Sequence, residues 1–318
     1  MKFGRVRDAA ALDAIEFSLP GLDDEEEKAQ LSRIERAARR RGSGRHPTTI
    51  RVGLPIFSEP RWIGRLYPPG TASGQFLEEY AKAFGVVEVS STFYALPPIE
   101  QLTRWRNSSG REFRFIPKFP ASISRSIGRR LDLRDLEPFL ERVEALQPKL
   151  AQTFIQLPPD RGRSALRDLE ILLASLPRGI HPAVEFRHPS FFRGQRLLPD
   201  VIDLLAEHRS AAVITDTAGF RELAHVSVSS LRTLIRFAAS DGHPSDRIRL
   251  SHWAARIARW HQAGMQQIDM TIHAEDPIAE IELASSFVEL LNQALLRQGS
   301  ALQIPVPRLY HRLQTELF

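Results

Sequence analysis

Residues 180–217 read IHPAVEFRHPSFFRGQRLLPDVIDLLAEHRSAAVITDT, and this stretch decides the fold. An apolar run, Ile180–Phe186, is followed by a helix-like segment, Gln195–His208. A second apolar run, Ala211–Thr215, comes next. Short runs rich in β-branched and apolar residues read as strands, and strand–helix–strand at this spacing reads as a parallel βαβ unit. Working outward, the same kind of run recurs at Thr49–Leu54, Val86–Val89, Phe113–Phe119, Leu150–Leu157, Leu231–Phe237 and Gln267–Ile272, which makes eight. Helix-like segments separate them: Gly74–Phe84, Ile99–Trp105, Asp135–Leu146, Ser164–Leu176, Ile248–Gln262 and Pro277–Leu296. Between Thr217 and Ser230 the pattern is too short and weak to assign.

Eight such units over about 250 residues predict an α/β fold of the (β/α)8 TIM-barrel type, with eight parallel strands. An open doubly wound sheet is the alternative, and it usually carries a Gly-rich phosphate turn after its first strand. Here the first strand runs into Gly53-Leu54-Pro55-Ile56-Phe57, which has no such turn. Walker loops, nucleophile elbows and His-Glu-x-x-His signatures are also missing from the sequence.

The barrel is expected over residues 48–298. Residues 1–47 read as a charged, partly flexible helical extension, and residues 299–318 as a C-terminal tail packing on or near the barrel. In the extension, Asp23-Asp24-Glu25-Glu26-Glu27 opens a helix and the arginines from Arg36 to Arg41 close it, the order the helix dipole favours. Gly42-Ser43-Gly44 then breaks it. Such a helix is either a solvated element lying against the domain or an arm that touches an acidic partner.

Composition narrows the function. With 42% hydrophobic and 25% charged residues among 318, the chain suits a globular protein with a real core. No apolar run approaches the roughly 18 residues that span a bilayer, so no membrane association is expected. The opening MKFGRVRDAAALDAIEF is unlike a secretory signal, and a cytoplasmic location is expected. Without cysteine there are no disulfides, thiolate metal sites, iron–sulfur clusters or Cys nucleophiles. The net charge of +5 and pI of about 9.9 favour anionic partners. Eight basic residues against one acid lie between Arg104 and Arg130, which leaves nucleic acid open as a partner without favouring it.

The carboxyl ends of the strands carry the chemistry. Barrel strands are buried on both faces, where unpaired polar groups are costly. Yet these strands end on Glu88 and Ser90, Lys118, Gln156, Glu185 and Arg187, Asp216, Arg236 and His273. Alternation puts Ala183, Glu185 and Arg187 on one face, and likewise Ala212, Ile214 and Asp216. Both sets are expected at the barrel mouth, where barrel enzymes do their chemistry. Glu185, Asp216, Lys118, His273 and Glu88 are the catalytic candidates. Glu185 and Asp216 suit proton transfer. Lys118 suits an anion clamp, a desolvated amine or a Schiff base, and His273 a proton shuttle. Arg187, Arg236, Gln156, Tyr94 and Trp62 are the substrate-binding candidates, the two guanidiniums matching carboxylate or phosphate geometry. No cofactor is predicted. A divalent metal held by Glu88, Glu185, Asp216 and His273 is a minor alternative, because two arginines and a lysine in the same mouth would repel it. The bland alternative is a plug of mutually neutralising pairs such as Glu185–Arg236 or Asp216–Arg187.

Several of these segments resemble a known family. Glu88-Val89-Ser90-Ser91-Thr92-Phe93-Tyr94 with Leu96-Pro97 is similar to the VEINSTFY-xLP segment of the domain-of-unknown-function 72, or YecE-like, family. Arg61-Trp62-Ile63-Gly64-Arg65-Leu66-Tyr67-Pro68, Phe113–Pro120 and Phe154-Ile155-Gln156-Leu157-Pro158-Pro159 resemble further family segments. So do Ala183–Phe192, with its Glu185-Phe186-Arg187-His188-Pro189, and Thr215-Asp216-Thr217. His243-Pro244-Ser245-Asp246 and His273-Ala274-Glu275-Asp276 are similar to segments near the seventh and eighth strands. The likeness runs from about Arg51 to Leu290. It implies a TIM barrel of unassigned biochemistry and supplies no catalytic residues. The family's usual GTSGW-like turn after the first strand is replaced by Gly53-Leu54-Pro55-Ile56-Phe57, which lacks its hydroxyl and Trp.

Three functional readings follow. One is an enzyme, whether hydrolase, lyase or isomerase, acting on a phosphate- or carboxylate-bearing small molecule; it expects Glu185, Asp216 and Lys118 to face one cavity. The second is a metal-assisted phosphoesterase or nucleic-acid-acting protein, and the third a noncatalytic metabolite binder.

Overall fold

The computed structural model describes residues 4–22, 24–40, 48–240 and 242–310. The eight apolar runs form eight parallel strands: β1 (Thr49–Leu54), β2 (Val86–Val89), β3 (Arg114–Pro117), β4 (Thr153–Gln156), β5 (Pro182–Glu185), β6 (Ala211–Asp216), β7 (Arg232–Ala238) and β8 (Gln267–His273). Helices α1 (Ala9–Asp13) and α2 (Glu25–Arg40) precede them. The rest alternate with the strands: α3 (Phe76–Ala83), α4 (Ile99–Ser108), α5 (Ala121–Ser126), α6 (Leu136–Ala145), α7 (Leu166–Ala174), α8 (Pro199–Glu207), α9 (Ser245–Ala263) and α10 (Pro277–Arg297).

The hydrogen-bonded order is β3-β2-β1-β8-β7-β6-β5-β4. The barrel closes where β3 meets β4, through Phe115 N–H to the Lys149 carbonyl (2.8 Å), Ala151 N–H to Phe115 (3.0 Å) and Phe119 N–H to Phe154 (2.8 Å). Residues 115 and 119 donate toward β4. Pro117 lies between them on the same edge and has no N–H to give, so the ladder there is interrupted. Close packing at β1 explains one glycine: a Cβ on Gly53 would lie 1.8 Å from the Val86 carbonyl oxygen.

Inside the barrel, Val86, Ile116, Ala151, Phe154, Ala183, Ala211, Val213 and Leu234 form a separate apolar cluster. The outer strand faces pack on the helices; Val184, Phe186 and Ala212, for example, join Leu169, Leu172, Val201 and Leu205.

One helix of the outer ring is missing from its usual place. Between β6 and β7 the chain makes only a short 3-10 turn, Arg221–Ala224. Helix α2 covers this segment. Gln30 Nε2 donates to the Val226 carbonyl (2.6 Å), and Val228 N–H donates to Gln30 Oε1 (3.1 Å). Glu27 pairs with Arg256 of α9 at 2.6 Å, both buried, and Ile34 joins the main core. The Asp24 carboxylate accepts from Glu27 N–H at the start of the helix (2.6 Å) and from Arg196 near α8 (3.0 Å). Asp23, Arg41 and Gly42-Ser43-Gly44, which figured in the sequence reading, lie outside the described residues.

The chain before α2 crosses the carboxyl-end face on the β6–β8 side. The Gly4 carbonyl accepts from Gly219 N–H (2.6 Å) and Thr217 Oγ1 (3.1 Å). Arg7 pairs with Glu275 (2.6 Å) and Asp13 with His243 (3.0 Å). After α10, the chain returns along the helix layer: Asn292 exchanges hydrogen bonds with Ile304, and Tyr310 N–H donates to the Arg65 carbonyl (2.7 Å). Among the described residues, no helix is long and apolar enough to cross a membrane.

Candidate functional site

Strand alternation sorts the interior into layers. The apolar cluster sits in the middle. At the amino end Arg51 and Asp269 pair at 3.0 Å. At the carboxyl end the inward positions are Glu88, Lys118, Gln156, Glu185, Thr215, Arg236 and His273, with Ser90 and Arg187 one step further out. These side chains form one connected network.

Arg236 is its hub. Its Nε and one terminal nitrogen donate to the two Glu88 oxygens at 2.9 Å each, and the other terminal nitrogen donates to Glu185 at 3.2 Å. Glu185 also accepts from Gln156 Nε2 (2.6 Å), from Arg187 (3.1 and 3.3 Å) and from the Thr215 hydroxyl. The Gln156 amide oxygen in turn accepts from Lys118 Nζ at 2.5 Å. Ser90 Oγ donates to Glu88 (2.6 Å), and His273 Nε2 lies 3.5 Å from the same carboxylate. Two rings complete the cage. Lys118 Nζ sits 4.2 Å from the Phe93 centroid and 5.1 Å from that of Phe154, and the Arg236 guanidinium lies 4.6 Å from Phe154.

Burial and charge set the protonation states. Burial alone would raise Glu185, but the Arg187 and Arg236 guanidiniums outweigh it and hold the carboxyl at about 2. Glu88 is likewise buried, yet Arg236 and His273 hold it well below the carboxylate range. Burial, reinforced by Arg236, lowers the Lys118 amine to about 8 against the pull of Glu88 and Glu185. Burial lowers His273 too, with Glu88 opposing it. Lys118, Arg187 and Arg236 thus face two locked carboxylates, an excess of one positive charge while Lys118 is protonated.

Seven of the expected site residues therefore meet: Glu88, Lys118, Gln156, Glu185, Arg187, Arg236 and His273. Asp216 does not join them. The inner face of β6 carries Ala211, Val213 and Thr215, so Ala212, Ile214 and Asp216 share the outer face instead of the mouth. There Asp216 accepts from Arg221 (2.5 Å), Arg249 (2.9 Å) and Trp253 Nε1 (2.8 Å), and these arginines hold its carboxyl low despite burial. The anticipated Glu185–Arg236 pair is present, whereas the partners of Asp216 are Arg221 and Arg249 and not Arg187. The expectation that Glu185, Asp216 and Lys118 converge is thereby corrected: Glu185 and Lys118 are joined through Gln156, and Asp216 lies apart. Of the residues considered for a metal, Glu88 and His273 are neighbours, but Arg236 lies between Glu88 and Glu185, and Asp216 is on the outer face. Among the described residues no three His, Asp or Glu side chains gather to hold a metal ion.

Trp62 is fully buried, donating from Nε1 to the Pro277 carbonyl (2.8 Å) and packing on Tyr67 and Tyr80. Tyr94 is 70% exposed, edge-on to Phe93 at 5.2 Å. Thr215, Phe154 and the partners of Asp216 escaped the sequence reading. Strand β6 is apolar at nearly every position, so nothing in its pattern reveals which alternate set points inward.

Tyr94 stands on the rim of a groove of about 730 Å³ between the loops after β1 and β2 and helix α4. Its lining includes Ile56, Phe57, Tyr94, Leu96, Pro97 and Trp105, and one end reaches Glu88 and Ser90 of the network.

The family model described as a protein of unknown function, DUF72, matches residues 51–306. The UPF0759 protein YecE of Escherichia coli K12 is 33% identical over 274 residues, covering 80% of this chain and 97% of that protein. The UPF0759 protein YunF of Bacillus subtilis is 28% identical over 138 residues, 40% of this chain and 48% of that one. Among solved structures, a DUF72 family protein from Thermotoga maritima has a TM-score of 0.62 at 21% identity, over 76% of this chain and 99% of the other. One from Enterococcus faecalis has a TM-score of 0.60 at 19% identity, over 77% and 96%.

Proposed function

This chain belongs to the DUF72 family, whose match runs through every residue of the network, and from that premise we propose that it is an enzyme acting on an anionic small molecule at the carboxyl end of the barrel. Lys118 moves the proton, and Arg187 with Lys118 holds the negative charge. The carrying observation is Lys118 itself, a buried amine lowered to about 8 at a strand end and linked through Gln156 to Glu185. A group titrating near the working pH is suited to both halves of a proton transfer. Glu88 and Glu185 do not share this property. Their arginines keep them ionised, so they serve as fixed negative charges that orient Arg236 and Arg187.

A plug built for stability alone is the weaker account. Buried ion pairs are often no better than apolar replacements, and lowering the Lys118 amine is a cost that a Met at the same position would not incur. Partly exposed Arg187 and Ser90 also put polar atoms where a ligand reaches them.

Phosphorylated and carboxylated metabolites should raise the melting temperature of the wild type. Lys118→Met should abolish turnover of any compound found this way, whereas Arg187→Ala should mainly weaken its binding. Turnover that survives Lys118→Met sinks the assignment of Lys118. Binding without turnover in the wild type would leave a metabolite-binding protein, a reading favoured by the firmly ionised carboxylates.

A further inference from the structure

We infer that the ligand of this site is amphiphilic, an anionic head at the Lys118–Arg187 network joined to an apolar, ring-sized body lying in the groove beside Tyr94. This deepens the anion-site reading above and rests on it. Three observations lead there.

The first is the groove itself. At about 730 Å³ it falls within the range of small-molecule sites, and its walls are mostly carbon: Ile56, Phe57, Leu96, Pro97 and Trp105. Ile56 is 40% exposed, and so is an apolar surface that burial under a ligand would stabilise. The wall is also braced. Tyr67 donates its hydroxyl to the Phe57 carbonyl at 2.5 Å, and Phe57 meets Trp105 edge to face at 5.3 Å.

The second is continuity. The groove ends at Glu88 and Ser90, which belong to the charged network. Tyr94 packs on Phe93, and Phe93 packs on the Lys118 ammonium, so groove rim and amine are in contact through two rings. The network carries one surplus positive charge, which selects an acid over a neutral or cationic ligand.

The third is that the described N-terminal segment and the groove lie on different sides of the mouth. Residues 4–17 lie over the ends of β6 to β8 through Gly4–Gly219, Arg7–Glu275 and Asp13–His243. The groove lies on the β1–β2 side, away from this cover. A ligand whose head reaches Lys118 therefore has its remainder directed along the apolar walls.

The experiment uses the full chain and three probes in titration calorimetry: butyrate, 4-phenylbutyrate and 4-phenylbutan-1-ol. They vary tail and head separately. 4-Phenylbutyrate should bind about tenfold tighter than butyrate, the gain expected from burying part of a phenyl ring, and at least as much tighter than the alcohol. Ile56→Ser, at an exposed position of the groove wall, should erase the advantage of the phenyl group and leave butyrate binding unchanged. Equal binding of the two acids would overturn the groove assignment and leave the anion site standing. Equal binding of 4-phenylbutyrate and its alcohol, or no binding of either acid, would overturn the anion site and with it this inference.

Discussion

Arg236 and Glu88 join across the top of the barrel by two hydrogen bonds of 2.9 Å each, guanidinium edge against carboxylate edge. They are donated by β7 and accepted by β2, strands that are not neighbours in the sheet order. Such a fork fixes direction as well as distance. The pair is therefore a cross-brace, and it also decides where the third nitrogen of Arg236 points, toward Glu185.

Removing one member should be more harmful than removing both. Arg236→Met strands the buried Glu88 carboxylate without its guanidinium and removes one of the two guanidiniums on Glu185, and should destabilise the fold by about 3–5 kcal/mol, a fall on the order of 10 °C in thermal melts. Arg236→Lys should rescue little, because an ammonium cannot make the fork. Arg236→Met combined with Glu88→Gln should recover part of the loss. A single variant that melts within 2–3 °C of wild type would contradict the brace.

Acid should weaken the protein through Glu185. Its carboxyl is held at about 2 against an ordinary 4.5. Between those values the unfolded chain binds the proton and the folded chain does not, so stability is full above about 4.5 and falls as pH drops toward 2. Glu185→Gln should flatten that segment of the curve of unfolding free energy against pH, measured by urea denaturation. A wild type and variant with parallel curves from pH 5 to 2.5 would refute the shift.

Lys118 should act in the opposite range. Its amine is lowered from 10.5 to about 8. Between pH 8 and 10.5 the unfolded chain holds the extra proton, so this residue makes stability rise with pH across that window. The wild-type minus Lys118→Met difference isolates it from other titrating groups. Lys118→Met should be the more stable protein at pH 7, and the gap should close by pH 10.5. A gap independent of pH would show an ordinary lysine.

Helix α2 should be part of the folded unit and not a loose arm. Glu27→Leu alone leaves the buried Arg256 without its 2.6 Å partner and should cost several kcal/mol by the same logic of a stranded charge. The double variant with Arg256→Met should be less destabilised than either single change, a coupling that a double-mutant cycle measures. Additive effects would mean that the pair does not interact.

Most of the fold was legible in the sequence because a parallel barrel announces itself by the repetition of buried runs. Both ends of β2 were read at the right residue, because Gly85 and Ser90 bracket Val86–Val89. The network was legible for a related reason: Glu88, Lys118, Glu185 and Arg236 are charges at the ends of apolar runs, which is conspicuous. Asp216 was equally conspicuous and yet points the other way, since a charge at a strand end announces burial and not direction. Its direction is set by Arg249 and Trp253, more than thirty residues on, in a helix whose facing follows only from the closed barrel. The place of α2 was illegible for want of a local cue. Its charges suit solvent, and the buried face made by Glu27, Gln30 and Ile34 acquires meaning only once the β6–β7 connection proves to have no α-helix of its own.

That vacancy in the helical layer has a temporal side. Gln30 and its partner Val226 are separated by 196 positions in the chain. During synthesis, at roughly 5–20 residues per second, α2 leaves the ribosome well before the surface it covers exists. For ten seconds or more its apolar stripe has no native seat. The dense charge on its other face, which keeps a lone helix in water, is what such a delay requires. Docking of α2 then becomes a late event that only a nearly finished barrel can accept.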